Sequence, residues 1–297
     1  MCNISSKDNL INIENKFLKE TDYSNLTKII EEYKDQIAVS VVPLEGTHTS
    51  YFFKKSEVFI SASMIKLLIL CEFIEEIDNG TIFLNSTYTY EEKDKVGGAG
   101  IIQDMPFGTN LTYEQLASYM IIYSDNIATN VLIDILGMDN INIKSKQLGL
   151  NSTVLNRKMM KEGKQNFISS EDIEFMLKGI LYKKVGSEEM CDRAMNYLLK
   201  NDDYDGIVRG LPNGTQFAHK TGSLDKIRHD GGIVFIKNKY IIIVLTKDFT
   251  LEEDANMLIG NISSIAYNIM INEEPTSSQS FINNSILVMI LFLALVI

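Results

Sequence analysis

Apolar residues recur at helical spacing in residues 24–33, where Leu26, Ile29, Ile30 and Tyr33 fall on one face and predict a helix. Residues 37–42, rich in Val and Ile, then predict a strand. Tyr51, Phe52 and Phe53 follow the turn-forming stretch Glu45, Gly46, Thr47, so the two runs read as a hairpin. From Met64 to about Tyr197 the spacing is mostly helical, punctuated at Asn79-Gly80, Gly97-Gly98 and Gly137. β-type runs return at residues 216–222, 231–236 and 240–245, with Asn238-Lys239 where a tight turn would join the last two. A helix over residues 251–271 completes the pattern. Strands at both ends with helices between predict an α/β (α+β) fold. Its antiparallel sheet is built from both termini and flanked by helices, and an all-helical lobe of about residues 63–200 is inserted. No internal repeat is visible. The expected organisation is an N-terminal extension at 1–20, one folded domain at 21–272, and a linker and tail at 273–297.

The two ends change the picture of where such a domain works. Residues 286–297 are an uninterrupted apolar run behind the polar, small-residue stretch 275–280. A spanning helix needs about 20 apolar residues, and this run is shorter even with Phe281 and Ile282 added. The tail is expected to be a short membrane anchor, an interfacial segment or a cleaved anchor-attachment signal, in preference to a helix packed on the domain. Residues 1–7 carry no basic stretch followed by an apolar one, so no secretory signal is visible, and Cys2 lacks the preceding apolar run of a lipoprotein cysteine. The expected location is outside the cytoplasm, or on a membrane through the tail.

With 297 residues, 45% hydrophobic and 23% charged, the chain can bury a sizeable core. A net charge of -11 argues against nucleic acid, whose phosphates it would repel. Cys2, Cys71 and Cys191 form no C-x-x-C pair and have no ligand-like spacing to the histidines, so neither a disulfide framework nor a zinc site is expected. No cofactor is expected, and the chain is read as a monomer. Cys71 reads as a small core residue, His48 as a solvent-exposed turn residue, and Met159, Met160, Phe175, Met176 and Leu177 as core or loop packing.

Candidate chemistry begins at Ser63-x-x-Lys66, at the head of the apolar helix. Residues i and i+3 share a helical face, so Lys66 Nζ can reach Ser63 Oγ. A serine hydroxyl needs a neighbouring base to act as a nucleophile, and a lysine can be that base when burial or a nearby cation lowers its pKa. Ser124-Asp125-Asn126 and Lys220-Thr221-Gly222-Ser223 follow in order. Alone, the first reads as a helix cap and the second as a turn.

In this order the three motifs resemble those of class A β-lactamases and penicillin-binding proteins, over roughly residues 24–271. The resemblance implies the fold described above, with the site in the cleft between sheet and lobe. It implies Ser63 as the nucleophile at a helix N-terminus, with an oxyanion hole formed by its own N–H and that of Ser223. Ser124 would relay a proton to the leaving nitrogen, and Asn126 would bind a substrate amide and hold Lys66. Lys220 and Thr221 would take a substrate carboxylate, and Gly222 would allow close backbone approach. Arg228 would assist with that carboxylate. His229 and Asp230 are expected to pair with each other or cap a strand, without a catalytic role.

One departure bears on mechanism. Class A enzymes carry Glu-x-x-Leu-Asn in a loop whose glutamate activates the deacylating water. Here Leu155-Asn156 places Ser152 where that glutamate belongs, the loop is several residues short, and Glu162 is the only carboxylate between residues 150 and 168. The chain is thus similar to β-lactamase-related serine hydrolases lacking the glutamate. Hydrolysis of β-lactams is the expected activity. The other two readings are a D-alanyl-D-alanine peptidase and a β-lactam-binding sensor or sink that stays acylated.

Overall fold

The computed structural model describes residues 21–272. Both termini contribute to a five-stranded antiparallel sheet in the order β2 (Tyr51–Phe53), β1 (Ile37–Pro43), β9 (Tyr240–Thr246), β8 (Ile227–Phe235), β7 (Gln216–Leu224). The central strand β9 is buried throughout, because both faces of the sheet are covered. Alternation along it then divides the core in two: Ile241, Ile243 and Leu245 face the helical lobe, while Tyr240, Ile242 and Val244 face α1 (Ser24–Glu32) and the closing helix α8 (Glu252–Ile271).

The lobe comprises α2 (Lys66–Asp78), α3 (Tyr113–Ile122), α4 (Asn126–Leu136), α5 (Met138–Gln147), α6 (Ser170–Leu181) and α7 (Glu188–Leu199). Helix α2 runs through its centre, with Leu67, Leu68, Ile69, Leu70 and Phe73 all 0% exposed. Each such side chain contributes about 1.5–3 kcal/mol by leaving water, so the helix carrying Lys66 is held by the lobe's core and not by local propensity. Cys71 is a buried free thiol among these residues, as expected, and burial pushes its pKa up to about 12. Cys2 and the tail at 286–297 lie outside the described residues. No helix among the described residues is long and apolar enough to cross a membrane.

Several expectations are corrected. The lobe carries two short pairings, β3 (Phe59–Ile60) with β6 (Phe167–Ile168) and β4 (Thr87–Thr89) with β5 (Asn110–Thr112), too brief for alternation to register. Strand β8 starts at Ile227 and not at Gly231, since its polar residues Arg228, His229 and Asp230 are buried by specific partners. His48 is buried, and Phe175 and Met160 are exposed while Met159, Met176 and Leu177 pack inside. His229 and Asp230 do not pair with each other, because adjacent strand residues point to opposite faces. His229 Nδ1 instead accepts from Thr246 N–H at 3.0 Å, while its Nε2 lies 2.8 Å from the Ile60 carbonyl, and burial pushes its pKa down to about 4. Asp230 takes His219 Nδ1 at 2.9 Å.

Candidate active site

A 3-10 turn, Ala62–Ile65, leads directly into α2, so Ser63 sits one helical turn before Lys66, as the spacing requires. The turn is clamped from outside: Ser61 N–H donates to Asn166 O at 2.8 Å, and His229 holds the Ile60 carbonyl. Lys66 is fully buried, yet its Nζ has four oxygens within reach: Ser63 Oγ at 3.0 Å, Ser124 O at 2.6 Å, Ser124 Oγ at 3.0 Å and Asn126 Oδ1 at 3.0 Å. Two of these, the Ser124 carbonyl and Asn126 Oδ1, can only accept. A neutral amine would give its two N–H bonds to that pair and turn its lone pair to a hydroxyl. Burial, and then the Lys220 cation, hold the Lys66 pKa well below the usual lysine range, against Asp125, which pulls it up.

Ser124 presents both its carbonyl and its hydroxyl to Lys66 from a left-handed backbone, φ 51°, a conformation that costs energy for a residue with a side chain. Asp125 stabilises this turn. One carboxylate oxygen caps α4 at Ala128 N–H, 2.8 Å away, and the other accepts from Ile101 and Ile102 N–H at 2.7 and 2.9 Å. The helix-cap reading of this motif therefore holds for Asp125. Asn126 Nδ2 donates to Gly97 O at 3.1 Å, which fixes the amide with Oδ1 toward Lys66.

On the opposite wall, Lys220 Nζ donates to Ser124 Oγ at 3.1 Å and to Thr221 O at 2.8 Å. It too is buried, and burial pushes its pKa down to about 8 despite Asp203 nearby. Gly222 lets β7 close on Ser63: a Cβ there would lie 3.0 Å from Ser63 N, so only glycine fits without displacement. Ser223 follows at the exposed end, its hydroxyl donating to Glu252 Oε1 at 2.6 Å. Ser63, Asn126 and Ser223 line a cavity of about 120 Å³ together with Met159 and Met160.

Three expected positions fall elsewhere. Arg228 does not offer a free guanidinium: it is buried, with a bidentate ion pair to Asp203 at 2.7 and 2.9 Å and Nε on Asn256 Oδ1 at 2.7 Å. Ser152 does not occupy the place of the glutamate, because its N–H is turned to Asp172 Oδ2 at 2.9 Å, away from the cavity. Glu162 is exposed and does not line the cavity either. The loop residues that line the cavity with Ser63 are Arg157, Met159, Met160, Gln165 and Asn166, none of them a carboxylate, and the N–H and C=O of Met159 are both held by the Asn130 side chain, at 2.7 and 3.1 Å. Asn130 is the signal that the sequence reading missed. Among the described residues no group of three or more His, Cys, Asp or Glu side chains is arranged to hold a metal ion.

This constellation has relatives. The model of the β-lactamase enzyme family matches residues 23–270. The chain belongs to that family. It is 26% identical over 255 residues to β-lactamase ROB-1 of Haemophilus influenzae, with 82% of each chain covered. A β-lactamase VEB-1 of Pseudomonas aeruginosa is 21% identical over 253 residues, covering 72% of this chain and 79% of its own. Among solved structures, a β-lactamase from Sphaerobacter thermophilus superposes with a TM-score of 0.79 at 24% identity, covering 84% of this chain and 97% of its own. PBP-A superposes with a TM-score of 0.76 at 25% identity, covering 85% and 98%. A mutant of PBP-A has been captured as an acyl-enzyme complex with penicillin G. The fold expected from the motifs is the one observed, and β-lactamase-like function holds at the level of the family.

Proposed function

We propose that this β-lactamase family member opens β-lactams through an acyl-enzyme on Ser63, with fast acylation and slow release. The observation that carries the proposal is the buried Lys66 Nζ, 3.0 Å from Ser63 Oγ and 3.0 Å from Ser124 Oγ, with its pKa depressed. Lys66 takes the Ser63 proton as Oγ bonds to the lactam carbonyl carbon. The N–H groups of Ser63 and Ser223 receive the oxyanion, at the start of a helical turn where the dipole also favours negative charge. As the C–N bond breaks, the proton passes from Lys66 through Ser124 Oγ to the leaving nitrogen. The Lys220 cation, 3.1 Å from Ser124 Oγ, keeps that hydroxyl acidic enough to give its proton up. Asn126 orients the acyl side chain, and the Lys220 cation lies on the opposite wall beside Ser124.

Release requires a base for water. The loop residues that line the cavity with Ser63 carry no carboxylate to serve as one, and Glu162 is exposed outside the cavity. This favours a long-lived acyl-enzyme, close to the sensor or sink reading, over rapid hydrolysis. A D-alanyl peptide would be acylated by the same residues and face the same barrier to release. Intact-mass analysis after mixing the chain with penicillin G, followed over time, tests this. The expected course is a stoichiometric adduct within the mixing time, decaying over minutes or longer. Absence of an adduct removes the acylation reading, and decay within a second removes slow release.

A further inference from the structure

Beside Ser124 and Thr221 lies an open groove of about 510 Å³, walled by Arg228, Asp203 and Tyr204 and sharing Ala99 with the cavity at Ser63. A planar guanidinium at such a place is the group best shaped to grip a ligand carboxylate, through two parallel N–H···O bonds. Here both of those bonds are already made: Nη1 and Nη2 of Arg228 donate to the two oxygens of Asp203 at 2.9 and 2.7 Å. Thr221 is near enough to the same carboxylate to help hold its pKa down. Arg228 is 4% exposed and its Nε is taken by Asn256, so the guanidinium has no second face to offer. Asp203 thus stands where the carboxylate of an acyl donor would stand, with that carboxylate's partners. We infer that Asp203 is a built-in occupant of the anion subsite, so that the chain acylates with little preference for donors bearing a carboxylate.

The electrostatics run the same way. Although burial raises it, the Asp203 carboxyl is held below its usual range by its hydrogen bonds and charge pairing with Arg228, so it stays an anion against the groove. A second carboxylate entering there would meet that charge and a guanidinium whose own charge is neutralised, leaving Lys220 as the only attraction from this wall. A donor with a neutral or cationic group at that end meets no such repulsion, and Asp202 and Asp205 on the same loop add to the negative field. The inference rests on acylation at Ser63, and its test separates the two.

The experiment compares penicillin G with its methyl ester, reading the second-order acylation rate constant of each by intact mass. In the wild-type chain the two are expected to differ by less than about threefold; an acid acylating a hundredfold faster than the ester overturns the inference without any variant. Asp203→Asn removes the resident anion, and the acid-to-ester ratio is expected to rise by about tenfold or more, the value of one charge-assisted contact. In the double variant Asp203→Asn, Arg228→Gln that gain disappears. An unchanged ratio in folded Asp203→Asn means that Asp203 only braces Arg228, and overturns the inference. If neither donor acylates the wild-type chain, the Ser63 reading itself fails.

Discussion

Gly222→Ala tests the contact between β7 and the nucleophile turn, on which the oxyanion hole depends. The added Cβ would lie 3.0 Å from Ser63 N, 3.1 Å from Ala62 Cβ and 3.2 Å from Met64 N. These neighbours are backbone, or a methyl fixed to it, and ordinary contacts begin at about 3.4 Å or beyond, so a few tenths of an ångström must be found by moving the strand from the turn. That shift draws the N–H of Ser223 away from the N–H of Ser63. Loss of one well-placed oxyanion donor costs about 10²–10³ in rate. Overpacking at one site costs about 1–3 kcal/mol of stability, which a domain of this size should survive. The expected result is a folded variant acylated about a hundredfold more slowly by a fluorescent penicillin under stopped flow, with a melting temperature a few degrees lower. Acylation within threefold of wild type at that stability would refute the proposed hole.

Further predictions concern titration and the loop. Burial pushes Lys220 down to about 8, so its cation is present below that pH and lost above it; since that cation keeps the Ser124 hydroxyl acidic for either donor, the acylation rates of penicillin G and of its methyl ester should both fall above pH 8 while their ratio stays within about threefold. Glu162→Gln should change the rate of acyl-enzyme decay less than threefold, because the side chain lies outside the cavity. Met159→Glu, which adds a carboxylate inside it, should speed decay by about tenfold or more without matching loss of acylation, read by the same mass time course. Burial, then Glu76 and Glu75, push the Glu72 carboxyl up to about 7. As pH rises from about 4.5 to 7 the unfolded chain releases a proton that the folded chain still holds, so stability is lost across that window. Glu72→Gln should then stabilise by roughly 1–3 kcal/mol at pH 8 and little at pH 4, by thermal melts at both.

The three motifs were legible because their residue types are tied to local geometry. Ser63 and Lys66 need only a helical turn between them, and Gly222 marks a strand approaching backbone. The sheet was legible because β1 and β9 are apolar on both faces, as strands covered on both sides must be. What escaped depends on contacts distant in the chain. The acidic run at residues 202–205 reads as a solvated loop until Asp203 meets Arg228, 25 residues later. Counting back from Leu155-Asn156 pointed to Ser152, but the loop is turned by asparagines. Asn142 binds both the N–H and the C=O of Leu155, Asn166 takes the N–H groups of Asn156 and Arg157, and Asn130 seats Met159. No spacing rule conveys that path, since each clamp joins segments 9 or more residues apart. Short pairings such as Phe59 with Ile168 escaped for another reason, since two residues cannot show a period.

The claim on which all else rests is that Ser63 is the acylated atom's residue and Lys66 its base. Peptide mapping of the chain after brief exposure to penicillin G, in parallel with Ser63→Ala and Lys66→Met, tests it most directly. The account predicts a penicilloyl group on the peptide containing Ser63 in the wild type, none in Ser63→Ala, and labelling slowed by at least about a hundredfold in Lys66→Met. A penicilloyl group on another residue, or undiminished labelling of the folded Ser63→Ala chain, would contradict it.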